Sequence, residues 1–371
     1  MSNKRIYYAI QQVALGKATG AEITKIAVHG LQTVGMTTNF NLEQVFEIGQ
    51  LEIYQNIEEV PEIEVTLNKV LDGYPLIYTL ATEKGTVKGA FVAESPTLTG
   101  RQNARVDMQL AIFDDAEQSA TGGAISAVTC EGMYVSSVSY TFPVDGNFTE
   151  DVTLVGNDKI WGTGVYSSGL FSGNDDEPLA DEGVGRRQYL NIGNCRFPSQ
   201  IPGVSDSGTL SDNSNEGLGY STHFQNITVN CDLGREAINE LGRFAPYHRY
   251  VTFPVEVTSE FEVLAIEGDD INATEEGYYT TGDVQATDEN TTSCSPRYNL
   301  KNQTIYLETC EGTKIYLGTK NKLSSVNYTG GDTGGGNVTV TYSYTTFNDF
   351  TVAHSGGLYY NNVSDTGYTP S

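Results

Sequence analysis

The string SSVSYT at 136–141 returns as SSVNYT at 324–329, 188 positions later. A chain that repeats itself in this way folds as two similar units, so the match constrains the architecture more than any single motif. Other strings recur in the same order at nearly the same spacing. RIYYAI from Arg5 is answered by RQYLNI from Arg187 (offset 182), EIGQ from Glu47 by ELGR from Glu240 (193), and EVT from Glu64 by EVT from Glu256 (192). CEG from Cys130 is answered by CEG from Cys310 (180), and Gly146-Asn147 by Gly336-Asn337 (190). One order with an offset drifting between 180 and 193 is what loop insertions and deletions do to a duplicated domain. The expected division is a first domain at 1–155, a Gly- and acid-rich linker or long loop at 156–186, a second domain at 187–350 and a C-terminal tail at 351–371.

With 371 residues, each unit is long enough for its own core. Hydrophobic residues at 38% and charged residues at 18% describe a globular chain rather than a disordered one. The 40 glycines and 23 tyrosines, set among abundant Thr, Val and Asn, point to strands joined by tight turns, so the fold class is expected to be mainly β. Two segments carry a helical signal. In LEQVFEIGQ (42–50), Leu42, Val45, Phe46 and Gly49 recur at three and four, and the counterpart DLGREAINELG (232–242) offers Asp232 as N-cap and Gly242 as C-cap. Each predicts a short flanking helix of about two turns.

After each predicted helix comes the clearest alternation in the chain, PEIEVTLNKVL from Pro61 and PVEVTSEFEVL from Pro254. Ile63, Val65 and Leu67 take one face in the first copy, and Val255, Val257, Phe261 and Val263 in the second. Glu62, Glu64, Glu256, Glu260 and Glu262 take the opposite face, which is the pattern of a half-buried antiparallel strand. From the helix Gly to the Pro both copies count twelve residues, but to EVT they count fifteen and fourteen. A slip of one reverses every side chain, so one copy is expected to carry a bulge or a shifted start.

Forty-seven acids against 21 bases give a net charge of −26 and a pI near 4.3, which argues against a protein that grips phosphate backbones. Such a surface serves solubility, or lines a passage that nucleic acid crosses without sticking. Five cysteines show neither a disulfide framework nor C-x-x-C spacing. Lys4 and Arg5 precede a short apolar run, but Gln11 and Gln12 interrupt it, and no run of about 18 apolar residues is present to insert in a membrane. Without a leader, the eight N-x-S/T sequons read as Asn/Thr-rich strand chemistry rather than glycosylation.

Residues for catalysis are not assembled in the sequence. His29, His223, His248 and His354 are scattered and read as surface or packing histidines. GVSDSG from Gly203 is one position out of register for a nucleophile elbow, and GGDTGGGN lacks the lysine and helix of a phosphate loop. The acids at 175–177 and 269–270 lack the alternating ligand spacing of a calcium loop. No catalytic residue, metal ligand or cofactor site is nominated, and the chain reads as structural.

The run ITVNCDLGREAINELGRFAPYHRYVTFPVEVTSEFEVL in the second copy resembles the tail tube (major tail) proteins of long-tailed bacteriophages, as does RRQYLNIGNCRFPSQIPG from Arg186. The first copy is similar more faintly, keeping EIGQ and PEIEVT but carrying Leu51-Glu52-Ile53-Tyr54 in place of the Pro-Tyr loop. The resemblance implies two tandem β-sandwich or half-barrel domains, each with a flanking helix, whose inner strands join neighbours into rings that stack head to tail into a tube. Most such proteins give one domain to a six-fold ring, so a tandem pair implies a homotrimer with pseudo-six-fold symmetry. It further implies a virion tail location after assembly in the host bacterial cytoplasm, with the tail tip or baseplate, a terminator, and a tape measure or sheath as partners. DNA would pass through without specific binding, and Glu62, Glu64, Glu256, Glu260 and Glu262 are the candidates for a repelling lumen. The rival readings are a terminating hub or tail-tip ring, then a host-binding fibre, which a single Trp and a two-copy repeat fit poorly.

Overall fold

The computed structural model describes residues 5–17, 26–82, 86, 87, 90, 91, 98, 103–116, 120–162, 183–210, 222–265, 301–331 and 336–354. In chain order it begins with β1 (Gln11–Lys17), β2 (Ile26–Ala27), β3 (Leu31–Asn39), β4 (Leu42–Phe46), β5 (Ile53–Glu58), β6 (Glu62–Val70) and one α-helix, α1 (Ile77–Thr82). Next come β7 (Thr86–Val87), β8 (Ala90–Phe91), β9 (Val106–Ala116), the long β10 (Ala120–Pro143), β11 (Thr149–Gly156) and β12 (Asp158–Gly162). The second half supplies β13 (Phe224–Asp232), β14 (Arg235–Ile238), β15 (His248–Val251) and β16 (Glu256–Leu264). It closes with β17 (Tyr306–Glu308), β18 (Thr313–Tyr316), β19 (Lys322–Thr329), β20 (Thr339–Phe347) and β21 (Thr351–His354). The protein is mainly β.

Eight strands form one antiparallel path in the order β3-β6-β11-β10-β13-β16-β20-β19. The first four come from the first copy and the last four from the second, and both follow the same plan: first, second, fourth, third in chain order. The match holds at the level of single pairs. Val138 faces Val152 and Val152 faces Leu67 in the first copy, while Val326 faces Tyr342 and Tyr342 faces Phe261 in the second. The irregularities match as well. The β10–β11 register shifts between Val135 and Ser137, and the β19–β20 register between Leu323 and Ser325, 188 positions on. The β3–β6 shift skips Gln32 and the β13–β16 shift skips Gln225, both glutamines reaching a carbonyl two residues back, Gly30 at 3.2 Å and His223 at 3.5 Å. Bulges re-aim a strand at a defined position, so their recurrence is a more specific sign of duplication than strand count.

The two flanking helices are not present. Both segments are β-hairpin arms, β4–β5 and β14–β15, each a two-stranded sheet of its own. Gly49 and Gly242 do adopt positive φ (100° and 86°), but as turn residues in EIGQ and ELGR, where Gln50 N–H donates to Glu47 O at 3.2 Å and Arg243 N–H to Glu240 O at 3.3 Å. A left-handed glycine serves a hairpin turn as well as a helix C-cap, and the three-and-four spacing overlaps a period of two over so few residues. The EVT strings are not equivalent either. Pairing aligns Glu62 with Glu256, an offset of 194, whereas the arms and the prolines Pro61 and Pro254 align at 193. One residue is added between Pro254 and Glu256, which is the shifted start that the counts called for. CEG fails as an anchor, since Cys130 lies inside β10 and Cys310 between β17 and β18. Residues 351–354, placed by the sequence in the tail, form β21 against β18; 355–371 and 163–182, most of the expected linker, lie outside the described residues.

One face of the eight-stranded sheet is the core. Ile63, Val65, Leu67, Val138, Tyr140, Val152, Ile227, Val229, Val257, Phe261, Tyr342 and Tyr344 alternate onto it and are buried. Two lids cover that face. β10 bends away from the path so that its N-terminal half pairs with β9 and β12, and β9 pairs with β1, giving a second sheet over the first copy. Over the second copy lie β17-β18-β21 and the segment carrying Cys195, Phe197 and Ile201, with Phe197, Phe224, Phe261 and Tyr344 in ring contact. Glu150 is buried on the core side and accepts hydrogen bonds from Ile77 N–H (2.7 Å), Tyr78 N–H (3.0 Å) and Tyr140 Oη–H (2.9 Å), which anchors the first turn of α1.

Candidate functional site: the polar face and open edges of the sheet

The other face of the same sheet is polar along its whole width. Strand alternation and register place on it Thr37 and Asn39 from β3, Glu62, Glu64, Thr66 and Asn68 from β6, Asp151 and Thr153 from β11, and Ser137, Ser139 and Thr141 from β10. The second copy adds Thr228, Asn230 and Asp232, then Thr258, Glu260 and Glu262, Thr341 and Ser343, and Ser325 and Asn327, with Glu256 and Phe347 at one end. All five glutamates singled out from the sequence therefore share one face. Asp151 and Asp232 join them unforeseen: Asp151 sits between the buried Glu150 and Val152, an alternation legible in the sequence, and Asp232 was taken for a helix cap.

Carboxylates on this face are not opposed to one another. Glu260 faces Thr228 and Ser343, Glu262 faces Asn226 and Thr341, and Glu64 faces Thr37 and Val155. Like charges directly opposite would be destabilising, so hydroxyls and amides space them. Asp151 accepts from Asn68 at 2.6 Å, and Glu62, nearest the arm of the second copy, forms a 2.9 Å ion pair with Arg249. Glu64, Glu256, Glu260 and Glu262 form no salt bridge among the described residues. Among the described residues only Phe347, at the rim, and Tyr134, opposite Val155 and covered by Arg235 and His248 of the second arm, are aromatic side chains that alternate onto the face, so bases have no open stacking platform. A surface of this kind repels phosphates and offers no counterion release to hold them.

Among the described residues no further strand pairs with either margin of the sheet, β3 or β19. Their core-side residues are less covered than their counterparts at the junction within the chain, where β10 pairs with β13. Tyr140 on β10 is 0% exposed, and Tyr328, its equivalent on β19, is 53% exposed. Ile227, Val229 and Cys231 on β13 are buried, and Val34, Met36 and Thr38 on β3 are only half-buried. An unpaired edge with uncovered apolar side chains is a template for another strand.

Elsewhere the titratable groups serve packing. His29 stacks on Tyr74 at 4.1 Å, His248 Nδ1 lies 2.7 Å from Tyr134 Oη, and His354 lies 3.2 Å from the buried Glu311. Burial pushes the Cys130 thiol up to about 11 and those of Cys195 and Cys231 up to about 12, so none of the three is a nucleophilic thiolate at neutral pH.

No known family profile matches the chain, and no curated protein matches it. Solved structures similar to part of it include the cap that terminates the tube of the anti-feeding prophage, at 13% identity over 44% of this chain and 95% of that one, with a TM-score of 0.30. The sheath/tube terminator of an extracellular contractile injection system, PVC, in the extended state is 12% identical over 44% and 99%, at a TM-score of 0.30. The sheath-tube complex of the PVC system is 12% identical over 44% and 95%, at 0.29. These are partial likenesses at low scores, and function is argued below from strand order, edges and charge.

Proposed function

We propose that the chain is a structural protein of a phage-tail-like particle, three copies of which close edge to edge into a pseudo-six-fold ring, the rings stacking into a hollow conduit for nucleic acid. The open pair of edges carries this reading. Within the chain, β10 pairs with β13 so that Ser137 faces Asp232 and Tyr140 faces Val229. Carrying the copy equivalences to the free edges pairs β19 of one chain with β3 of the next: Ser325 faces Asn39, Val326 faces Thr38, Asn327 faces Thr37 and Tyr328 faces Met36. Polar residues meet polar ones on one face, as at the internal junction, and on the other Tyr328 meets Met36 and Val326 meets Thr38. A heterologous contact of this kind generates a closed ring when its rotation divides a full turn, and closure leaves no edge.

Eight strands from each of three chains make a barrel of twenty-four. With strands about 4.8 Å apart and tilted about 40°, its backbone radius is roughly 24 Å. Side chains reaching about 6 Å inward leave a bore of roughly 36 Å, wider than a DNA duplex of about 20 Å. The core face is already covered by the second layer, so the polar face is the one left for the lumen, and its carboxylates keep the transiting phosphates from adhering. The role is structural rather than enzymatic, and the ends of the tube would meet other tail proteins.

Electron microscopy of the purified chain, with native mass on the soluble fraction, tests the proposal. Hollow tubes built from three-chain rings support it. Trimeric rings that never stack favour a terminating hub or tip ring, and a monomer under every condition overturns both.

A further inference from the structure

The second copy's arm, β14–β15, lies against the first copy. Arg235 donates from Nε to the Val135 carbonyl oxygen at 2.7 Å, with its guanidinium carbon 5.2 Å from the centre of the Tyr134 ring. Arg249 donates to Glu62 at 2.9 Å and to Asn157 Oδ1 at 3.2 and 3.3 Å, its side chain only 8% exposed. The first copy's arm, β4–β5, lies between β3 and β6 in chain order as β14–β15 lies between β13 and β16, with 42–58 matching 235–251 residue for residue. Among the described residues no domain of the chain covers that flank. All six residues of β5 are exposed, and Leu42 and Tyr54 are 61% and 64% exposed. An arm that leaves Leu42, Phe46, Ile53, Tyr54 and Ile57 in water marks an interaction surface.

We infer that this arm docks on the second copy of a neighbouring chain in the way the other arm docks on the first copy within the chain. The inference rests on the ring reading and specifies a contact that strand pairing alone does not require. The equivalences that align the sheets also translate the contact. Leu42 takes the place of Arg235 and Asn56 that of Arg249; on the receiving side the Leu323 backbone replaces that of Val135, Lys322 replaces Tyr134, Glu256 replaces Glu62 and Phe347 replaces Asn157. An arginine-clamped junction inside the chain becomes one without the clamp between chains, Leu42 lying on the Leu323 backbone and the stem of Lys322, with Asn56 set between Glu256 and the exposed Phe347. The occupant is a second copy of this protein because the internal junction is a worked example of the same two surfaces meeting, and the new contact continues the β19–β3 edge.

The test uses the full chain and sedimentation velocity over a concentration series. Leu42→Lys, at an exposed position and beside Lys322 of the neighbour, is expected to weaken ring closure by about a hundredfold while leaving the unfolding midpoint of the monomer unchanged. Asn56→Arg rebuilds the Arg249–Glu62 pair between chains and is expected to tighten closure about tenfold at low salt, an effect that high salt or an added Glu256→Gln removes. Rings that close with wild-type affinity in both single variants overturn the docking while edge pairing stands. A wild-type chain that never forms rings overturns the ring reading and the docking with it.

Discussion

The equivalent tyrosines Tyr140 and Tyr328 allow the edge-pairing argument to be tested by one substitution made twice. Both sit on the core side of the third strand of their copy, but Tyr140 is fully buried at the internal junction and Tyr328 is 53% exposed on the open edge. An aromatic side chain carries roughly 150–250 Å², so covering that exposed half at about 25 cal/mol/Å² is worth about 2–3 kcal/mol per junction. A three-chain ring has three such junctions, and losing about 6–9 kcal/mol lowers the association constant by roughly four to six orders of magnitude. Tyr328→Thr should therefore abolish rings at micromolar concentration while the isolated chain keeps its thermal midpoint. Tyr140→Thr should instead destabilise the chain itself by about 3–5 kcal/mol, because it empties a core site and removes a hydrogen bond to Glu150. Sedimentation velocity and thermal unfolding read the two effects separately. Rings that survive Tyr328→Thr, or a midpoint that falls as far as in Tyr140→Thr, would refute the assignment of β19 as an intermolecular edge.

Replacing Glu64, Glu260 and Glu262 together with lysine should leave tubes intact, since none is salt-bridged among the described residues, yet make them retain DNA in a salt-dependent way in filter binding; tubes that hold no DNA would sink the lumen assignment. Glu150→Ala strands three donors and is expected to cost about 3–5 kcal/mol in urea unfolding, against about 1 kcal/mol for Tyr140→Phe, and equal losses would contradict the anchoring of α1 by that carboxylate. For Glu311, burial opposes ionisation, but the hydrogen bond and charge of His354, with Thr309 and Thr313, hold its carboxyl below the usual range. A lowered folded-state pKa contributes stability above the unfolded value of about 4.3 that is lost as pH falls through the folded one. Glu311→Gln should thus lower the urea midpoint at pH 7 and flatten its decline in acid, and a parallel decline in both proteins would show that another group controls the acid limb.

The duplication was legible because strand alternation and the SSVxYT edge strand leave a mark on the sequence that loops do not erase. The five glutamates shared a face for the same reason: a period of two fixes sidedness once register is set. What the sequence did not reveal is instructive in each case. The arms read as helices because over nine residues Leu42, Val45, Phe46 and Gly49 satisfy three-and-four spacing, and what decides for a hairpin is the pairing of 42–46 with 53–58, a contact between segments. CEG misled because the insertions that cover the core differ between copies, a second sheet built from β10 in one and β17-β18-β21 in the other. Strand order, and with it the open edges, follows from pairings between residues as far apart as Tyr140 and Val229, which no local pattern encodes.

Joining two ring-forming domains in one chain changes the energetics of closure in the proposed assembly. A ring of six separate domains must lose the free translation and rotation of five bodies, and a ring of three chains only that of two. Half of the junctions then form during folding, at the high effective concentration of a tether, and need no excess affinity. That explains why the two junction types diverge in chemistry. The internal one carries Arg235 and Arg249, whose burial against Val135, Glu62 and Asn157 fixes the pose of a contact that is never apart. A contact that must form between free chains can draw on apolar area, which carries no charge-desolvation cost, while an ion pair there adds affinity only where one partner stays partly hydrated, as Glu62 does. Leu42, Ile57 and Phe347, exposed at the free margins, meet that need. Exchanging the two chemistries, with Arg235→Leu and Arg249→Asn inside the chain, should therefore leave rings able to close but loosen the arm on its own domain. Faster hydrogen exchange across 235–251 without loss of trimer would show this, and unchanged exchange would mean that the arginines hold nothing in place.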